Sequence, residues 1–347
     1  MFEPFRRLAR WRRRNPSLPV IGDTRTRGER ESAMLQASVK ALGAALVRQR
    51  CEARLAGPTA PLPPEPVRVG LGSRTCRQAD IEHDWLRHWC GRLGIWPAYH
   101  RKVWEVCFIA QAAWEAGVLS PGRRALGFAV GREAMPAFLA AAGMEVVATD
   151  LPAGDARTRE WRRTGQHAGG EDAALAALFR PGLVGEEEFR RRVSFRPVDM
   201  RRIPPDLRDG GFDLVWSSCA MEHLGSLERG MAFVADAMQC LRPGGIALHT
   251  TEFNIDPCGG TLRWGTTVLY QRPHLEALAQ RLRTAGHAML PLDDAPGDGS
   301  LDAFVDLPPF GKGAEAGMPQ APHLKLSIRG YPATSAGIVA QARVFVS

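Results

Sequence analysis

Lysine is nearly absent from this chain: only four of its 45 basic residues are lysine and the rest are arginine. The arginines are spread along 347 residues with acids interleaved, so the formal charge of +8 reads as a bacterial-like compositional habit and not as a basic patch. A nucleic-acid partner is therefore not expected. The seven cysteines (Cys51, Cys76, Cys90, Cys107, Cys219, Cys240, Cys258) are odd in number and contain no C-x-x-C pair. That speaks against a disulfide framework or a thiol-zinc site and fits a reducing, cytoplasmic setting. No run approaches the roughly 18–20 apolar residues of a spanning helix. The amino-terminal "MFEPFRRLARWRRRNPSLP" also lacks the apolar stretch of a secretory signal. A soluble protein is expected, its basic arm solvated, with weak contact to an acidic membrane surface as a lesser reading. No internal repeat is present.

What the chain does contain is a change of pattern along its length. Residues 1–57 read as a basic arm and a helix over 30–56, and residues 58–77 as a proline-rich linker around "GPTAPLPPEPV". Residues 78–120 read as a helical cap rich in tryptophan and closed by Gly117. From 121 to 347 strands are predicted at 123–128, 145–149, 193–198, 212–217 and 246–251. Helices are predicted at 132–142, about 226–241 and 273–285. Such alternation argues for an α/β fold, a doubly wound and mostly parallel sheet preceded by a helical layer. The end, 323–346, reads as an antiparallel hairpin turning at Gly-Tyr-Pro on the sheet's edge. Before it, 291–322 is rich in proline and glycine and of a length typical of lids and binding loops.

The stretch "RRALGFAVGREAMPAFLAAAGMEVVATD", 123–150, is a strand, a glycine turn, a helix and a second strand ending in an acid. Gly127 and Gly131 let main chain approach a ligand while helix amides point at it. Asp150, 23 residues after Gly127, lies where a carboxylate accepts both hydroxyls of a ribose. A nucleoside-bearing cofactor is the leading reading, and tight helix–strand packing is the other explanation for the glycines.

Downstream, "SFRPVDMRRIP" gives a third strand ending in Asp199. "GFDLVWSSCAMEHLGSLERGMAFVADAMQCLRPGGIALHTTEFN" gives a fourth strand, a polar turn, a helix, an L-R-P-G-G turn and a fifth strand. In the order of these motifs, over about 123–290 and the terminal hairpin, the chain resembles class I S-adenosylmethionine-dependent methyltransferases. The resemblance implies a seven-stranded Rossmann-like sheet and S-adenosylmethionine as cofactor. It also implies that the turn at Gly127, Phe128 and Gly131 lies under the methionine part and that Asp150 takes the ribose. Asp199 with Met200 would border the adenine, and Ser217 with Ser218 would close the pocket. Two family features are replaced, the acid by Ala125 and the middle glycine by Ala129. Glu133 in the first helical turn is a candidate partner for the cofactor's amino group, and equally an ordinary glutamate favoured by the helix dipole.

Methyl transfer needs acceptor, methyl and sulfur held in line, and a hydroxyl acceptor also benefits from a base. In "SSCAMEHLG" His223 is the first choice, because an ordinary imidazole titrates near neutral pH, and Glu222 is its orienting partner. A helix-capping histidine is the alternative for His223. In "ALHTTEFNID" His249, Glu252 and Asn254 are expected to share one side of the strand, with Thr251 and Phe253 on the other. A divalent ion held by Glu222, His223, His249 and Glu252 is a lesser reading, since the spacing fits no dedicated metal motif, and none is expected. His100, Arg101 and Lys102 read as a helix's solvated first turn, or as residues closing over the acceptor. Trp85, Trp89, Trp96 and Trp104 are expected in the core. His323 and Lys325 read as lid contacts or as an exposed edge strand.

The expected activity is methyl transfer to a hydroxyl of a small molecule or glycan. A nicotinamide-dependent oxidoreductase shares the glycine turn and ribose acid but would not need the L-R-P-G-G turn, and it lacks here a Tyr-x-x-x-Lys pair. A cofactor-fold scaffold without activity is the third reading, supported by Ala125 and Ala129.

Overall fold

The computed structural model describes residues 26–56, 63–308, 310 and 321–343. The basic arm, the first part of the expected linker and most of 309–320 in the expected long loop lie outside the described residues. The chain divides into two units, residues 1–42 and 43–347, and helix α1 (Arg27–Ala56) contains the boundary.

Strand β1 (Ser73–Thr75) falls inside the stretch expected as a linker. Its neighbours are pinned from helix α4, as the Glu115 carboxylate accepts the amides of Val69 and Leu71 at 2.8 Å each. The helical cap is three helices, α2 (Gln78–Glu82), α3 (Asp84–Leu93) and α4 (Arg101–Glu115). Histidines start two of them: His83 Nδ1 accepts from Trp85 N and His100 Nδ1 from Lys102 N. Gly94, at φ +65°, ends α3 as a left-handed cap. Trp85, Trp89 and Trp104 are buried as expected, whereas Trp96 is 78% exposed.

The alternating part contains β2 (Arg124–Phe128), α5 (Met135–Ala141), β3 (Glu145–Asp150), α6 (Arg159–Arg163), α7 (Glu171–Leu178), α8 (Glu186–Arg192) and β4 (Val193–Pro197). It continues with β5 (Phe212–Ser218), α9 (Leu227–Ala237), β6 (Leu241–Asn254) and α10 (Arg272–Thr284). Short strands β7 (Ala288–Met289), β8 (Leu292–Asp293) and β9 (Val305–Asp306) precede β10 (Lys325–Ile328) and β11 (Tyr331–Gln341). The main sheet runs β4-β3-β2-β5-β6-β11-β1-β8. The first five strands are mutually parallel and β11 is antiparallel to β6. With β7, β9 and β10 attached the sheet has eleven strands, four more than the resemblance implies.

The terminal hairpin differs from its expected form. Its turn is Arg329–Gly330, with φ of 51° and 88°, the left-handed pair a two-residue hairpin loop requires, and Tyr331 and Pro332 already belong to β11. Nor is β11 at an edge, because it pairs with β6 from Ala333↔Asn254 to Gln341↔Ile246 and with β1 and β7 on its other side.

Alternation along the strands divides the core. Ala125, Leu214, Trp216 and Leu248 join the cap helices and α5, while Leu126, Phe128, Val215 and Ala247 join α9 and α10. Both faces are thus covered, and the carboxyl ends of β2 to β6 form the crevice that α/β sheets use for ligands.

Candidate active site

At the end of β2 the glycine turn is tightly enclosed. A Cβ on residue 127 would come within 2.3 Å of the Trp216 ring, so that glycine is required by packing against β5. Trp216 Nε1 donates to Glu133 Oε1 at 2.6 Å. Burial pushes the Glu133 carboxyl up to about 8, against that hydrogen bond. Ala129 sits at φ 51° and Gly131 at φ 50°, so both take the left-handed backbone. A Cβ on residue 131 would lie 2.6 Å from the Gln166 carbonyl oxygen.

Gln166 belongs to the segment 151–170, which follows β3. Burial raises the Asp150 carboxyl above the usual range, opposed by His167 and by the amides of Leu151, Ala168 and Gly131. His167 Nε2 stands 3.9 Å from Asp150 Oδ2 and bonds Leu151 O, while its Nδ1 accepts from Gly169 N. Further along, Arg157 Nη2 donates to Asp199 Oδ2 at 2.9 Å, and Arg201 holds the same carboxylate. Despite partial burial, the two arginines keep Asp199 well below the ordinary carboxylate range. Trp161 packs edge-on against His223, ring centres 5.4 Å apart. One segment therefore engages Asp150, Asp199 and His223 together.

At the ends of β5 and β6 lies a buried ionic cluster. Arg101 is only 6% exposed, which corrects its reading as part of a solvated first turn. Its Nη2 is 2.7 Å from Glu252 Oε1, and its Nη1 is 3.1 Å from both Glu105 Oε1 and Ser335 Oγ. Lys102 Nζ meets the other oxygen of Glu105 at 3.1 Å. Burial alone would lower the Arg101 guanidinium and raise the Glu105 carboxyl, yet their partners more than reverse both shifts, and the pair stays ionised. Glu222 Oε2 accepts from Thr251 Oγ1 at 3.1 Å, and burial raises this carboxyl. Cys219 takes the left-handed backbone at φ 44°, and its Sγ lies within 4.8 Å of carboxylate oxygens of Glu222 and Glu252. Four buried polar atoms here lack any hydrogen-bond partner: Arg101 Nε, Ser218 Oγ, Glu222 Oε1 and Glu252 Oε2.

A strand's period of two corrects the expected grouping on β6. His249 shares a side with Thr251 and Phe253, and Glu252 with Asn254. His249 is fully buried, 2.8 Å from Ser217 Oγ and edge-on to Phe233. Burial pushes it down to about 3, so it is a neutral core histidine and stands apart from the base and acid candidates. Ser217 is committed to it, and Phe128 packs on Phe233 in the same core. Met200 is buried with Ile203 and Leu207.

Residues 126–249 match a family model described as a methyltransferase domain. The likeness is to a methyltransferase domain and lies within the alternating part of the chain. No curated relative matches it. Among solved structures, a putative sarcosine dimethylglycine methyltransferase from Galdieria sulphuraria is 15% identical, with 68% of this chain and 83% of that chain covered and a TM-score of 0.41. The 1,6-didemethyltoxoflavin-N1-methyltransferase of Burkholderia thailandensis, with bound 1,6-didemethyltoxoflavin and S-adenosylhomocysteine, is 16% identical, covering 67% and 76% at a TM-score of 0.37. The [4+2]-cyclase SpnF is also 16% identical, covering 70% and 83% at a TM-score of 0.42.

S-adenosylmethionine is the cofactor that the sequence resemblance implies. The residues present fit it, with one carboxylate, Asp150, ending β3 and another, Asp199, just past the end of neighbouring β4, and a left-handed turn at 129–131. The sequence-predicted residues fall into three places. Gly127, Gly131, Glu133 and Asp150 gather at the turn; Asp199 and Met200 lie past β4; Ser218, Glu222, His223 and Glu252 ring the end of β5 and β6. Glu105, Cys219 and Trp216 were missed as site residues, and Arg101 was read only as part of a solvated first turn or as closing over the acceptor. Only the helical spacing of Arg101 and Glu105, four apart, carried a signal of their pairing. Among the described residues no helix is long and apolar enough to cross a membrane.

Proposed function

We propose that the methyltransferase domain transfers methyl to a hydroxyl oxygen of a small molecule or glycan. The observation that carries this reading is the set of four unpartnered atoms. Two are carboxylate oxygens that need donors, one is an arginine N–H that needs an acceptor, and Ser218 Oγ does either. Leaving such groups buried and unpaired costs about 1–3 kcal/mol each, so a ligand that satisfies them is favoured. An ammonium brings donors but no acceptor for Arg101 Nε. A phosphate or carboxylate brings acceptors but meets two glutamates. A neutral hydroxyl both donates and accepts.

The geometry supports the following roles. The turn at 127–131, Glu133, Asp150, Asp199, Met200 and Ser218 would hold the cofactor, which when bound would supply the methyl group from its sulfonium. His223 Nδ1 lies 2.8 Å from the Thr266 carbonyl, which only accepts, so the ring proton is assigned there and Nε2 is left to take the acceptor's proton. Glu222 Oε1, 4.0 Å from Nε2, stabilises the imidazolium that results. Replacing His223 by alanine is expected to lower kcat about 100-fold or more while cofactor affinity stays within about twofold; unchanged turnover removes it as the base.

A scaffold reading is favoured by one observation, the engagement of Asp150, Asp199 and His223 by segment 151–170. Calorimetry with S-adenosylmethionine, S-adenosylhomocysteine and NAD separates the readings: binding of none supports a scaffold, and binding of NAD alone an oxidoreductase.

A further inference from the structure

We infer that the acceptor presents two adjacent hydroxyls, one held by Glu252 and Arg101 and its neighbour facing Glu222 and His223. This deepens the hydroxyl reading above and rests on it. Each glutamate has one oxygen anchored and one spare. Glu252 Oε1 is fixed by Arg101 and Oε2 has no partner; Glu222 Oε2 is fixed by Thr251 and Oε1 has no partner. A single hydroxyl carries one proton and cannot donate to both. Two donors are needed, and the two carboxylates are neighbours, one oxygen of each lying within 4.8 Å of the other. With O–H···O distances of about 2.5–3.0 Å, hydroxyls on neighbouring carbons reach two carboxylates placed this close.

The frame is also held in place before any ligand arrives. Arg101 is locked by Glu105, Ser335 and Glu252, so its buried, unpartnered Nε is held in place. That N–H donates to the oxygen of the hydroxyl that Glu252 accepts from. The second hydroxyl, which donates to Glu222 Oε1 in the resting complex, turns its proton to His223 Nε2, 4.0 Å from that oxygen, as its own oxygen forms the new O–CH₃ bond and the S–CH₃ bond breaks. The product is a monomethylated diol, which has lost one of the two donors and so leaves one glutamate oxygen unsatisfied.

The test uses the full chain with methyl-labelled S-adenosylmethionine and matched acceptors: catechol against phenol, cis-1,2-cyclohexanediol against cyclohexanol, and methyl α-D-mannoside. Cofactor binding is measured separately by calorimetry. At least one diol is expected to be methylated about 10-fold or more faster than its single-hydroxyl partner. Glu252→Gln, which keeps the side chain's shape, is expected to raise KM for the diol about 10-fold, a larger loss than for the single hydroxyl, with cofactor affinity within about twofold. If the cofactor binds but no diol is methylated, or single hydroxyls or benzylamine do as well, this inference falls and the methyltransferase reading stands. Equal losses on both acceptors in Glu252→Gln, or turnover abolished by EDTA and restored by Mg²⁺, also overturn the direct clamp. Failure to bind the cofactor removes both readings.

Discussion

Replacing Arg101 by methionine removes the cation at the centre of the cluster while keeping a long apolar stem. The side chains of Arg101, Glu105 and Glu252 are 8%, 2% and 7% exposed, so water replaces little of the lost charge. Glu105 keeps Lys102, but Glu252 loses its ion-pair partner in the cluster. Breaking a buried pair from one side costs about 3–5 kcal/mol, and that is the expected loss in urea unfolding at pH 8. The pH dependence has a definite sign. Glu105 is held below its ordinary value of 4.5 in the folded protein, so its contribution is present above that value and fades as pH falls below it. The variant lacks the Arg101 part of that contribution, so its deficit holds from pH 8 down to about 4.5 and shrinks as pH falls below it. A variant as stable as the parent at pH 8, or a deficit that does not change with pH, would show that no charge is stored there, and the acceptor clamp would go with it.

Two further outcomes concern the crevice and the core beneath it. Ala129→Gly relieves a left-handed alanine worth about 1–2 kcal/mol, less the entropy glycine loses on folding, so thermal or urea unfolding should show a gain of about 0.5–1 kcal/mol; a loss would mean the methyl group packs usefully. His249 is neutral in the fold down to about 3 but charges near its ordinary value of 6.5 when unfolded. Stability therefore falls as pH drops from about 6.5 toward 3, and His249→Gln should flatten that slope in urea titrations; an identical slope would contradict the burial.

Much of the alternating part was legible because its strands are short apolar runs bounded by turn residues. The predicted 123–128, 145–149 and 212–217 lie within a residue of β2, β3 and β5. The three residues of β1, Ser-Arg-Thr, gave no such signal, because burial of Ser73 and Thr75 comes from pairing with β11 and not from apolar character. Helix α8 was missed although Glu186 and Glu188 each stand four residues before an arginine they bond. In the site, acids at strand ends could be read from spacing. The pairing of Arg101 with Glu252 could not, since 151 residues separate two positions joined only by the fold. His249 was misgrouped on β6, where counting in twos along the strand places it beside Thr251.

The central claim is that S-adenosylmethionine lies across the carboxyl ends of β2, β3 and β4 with its ribose on Asp150. Titration calorimetry of S-adenosylhomocysteine into the parent chain and Asp150→Asn tests it most directly. The account predicts one-to-one binding to the parent and a weakening of about 10-fold or more in the variant. No binding to the parent, or equal affinity in the two proteins, would contradict it.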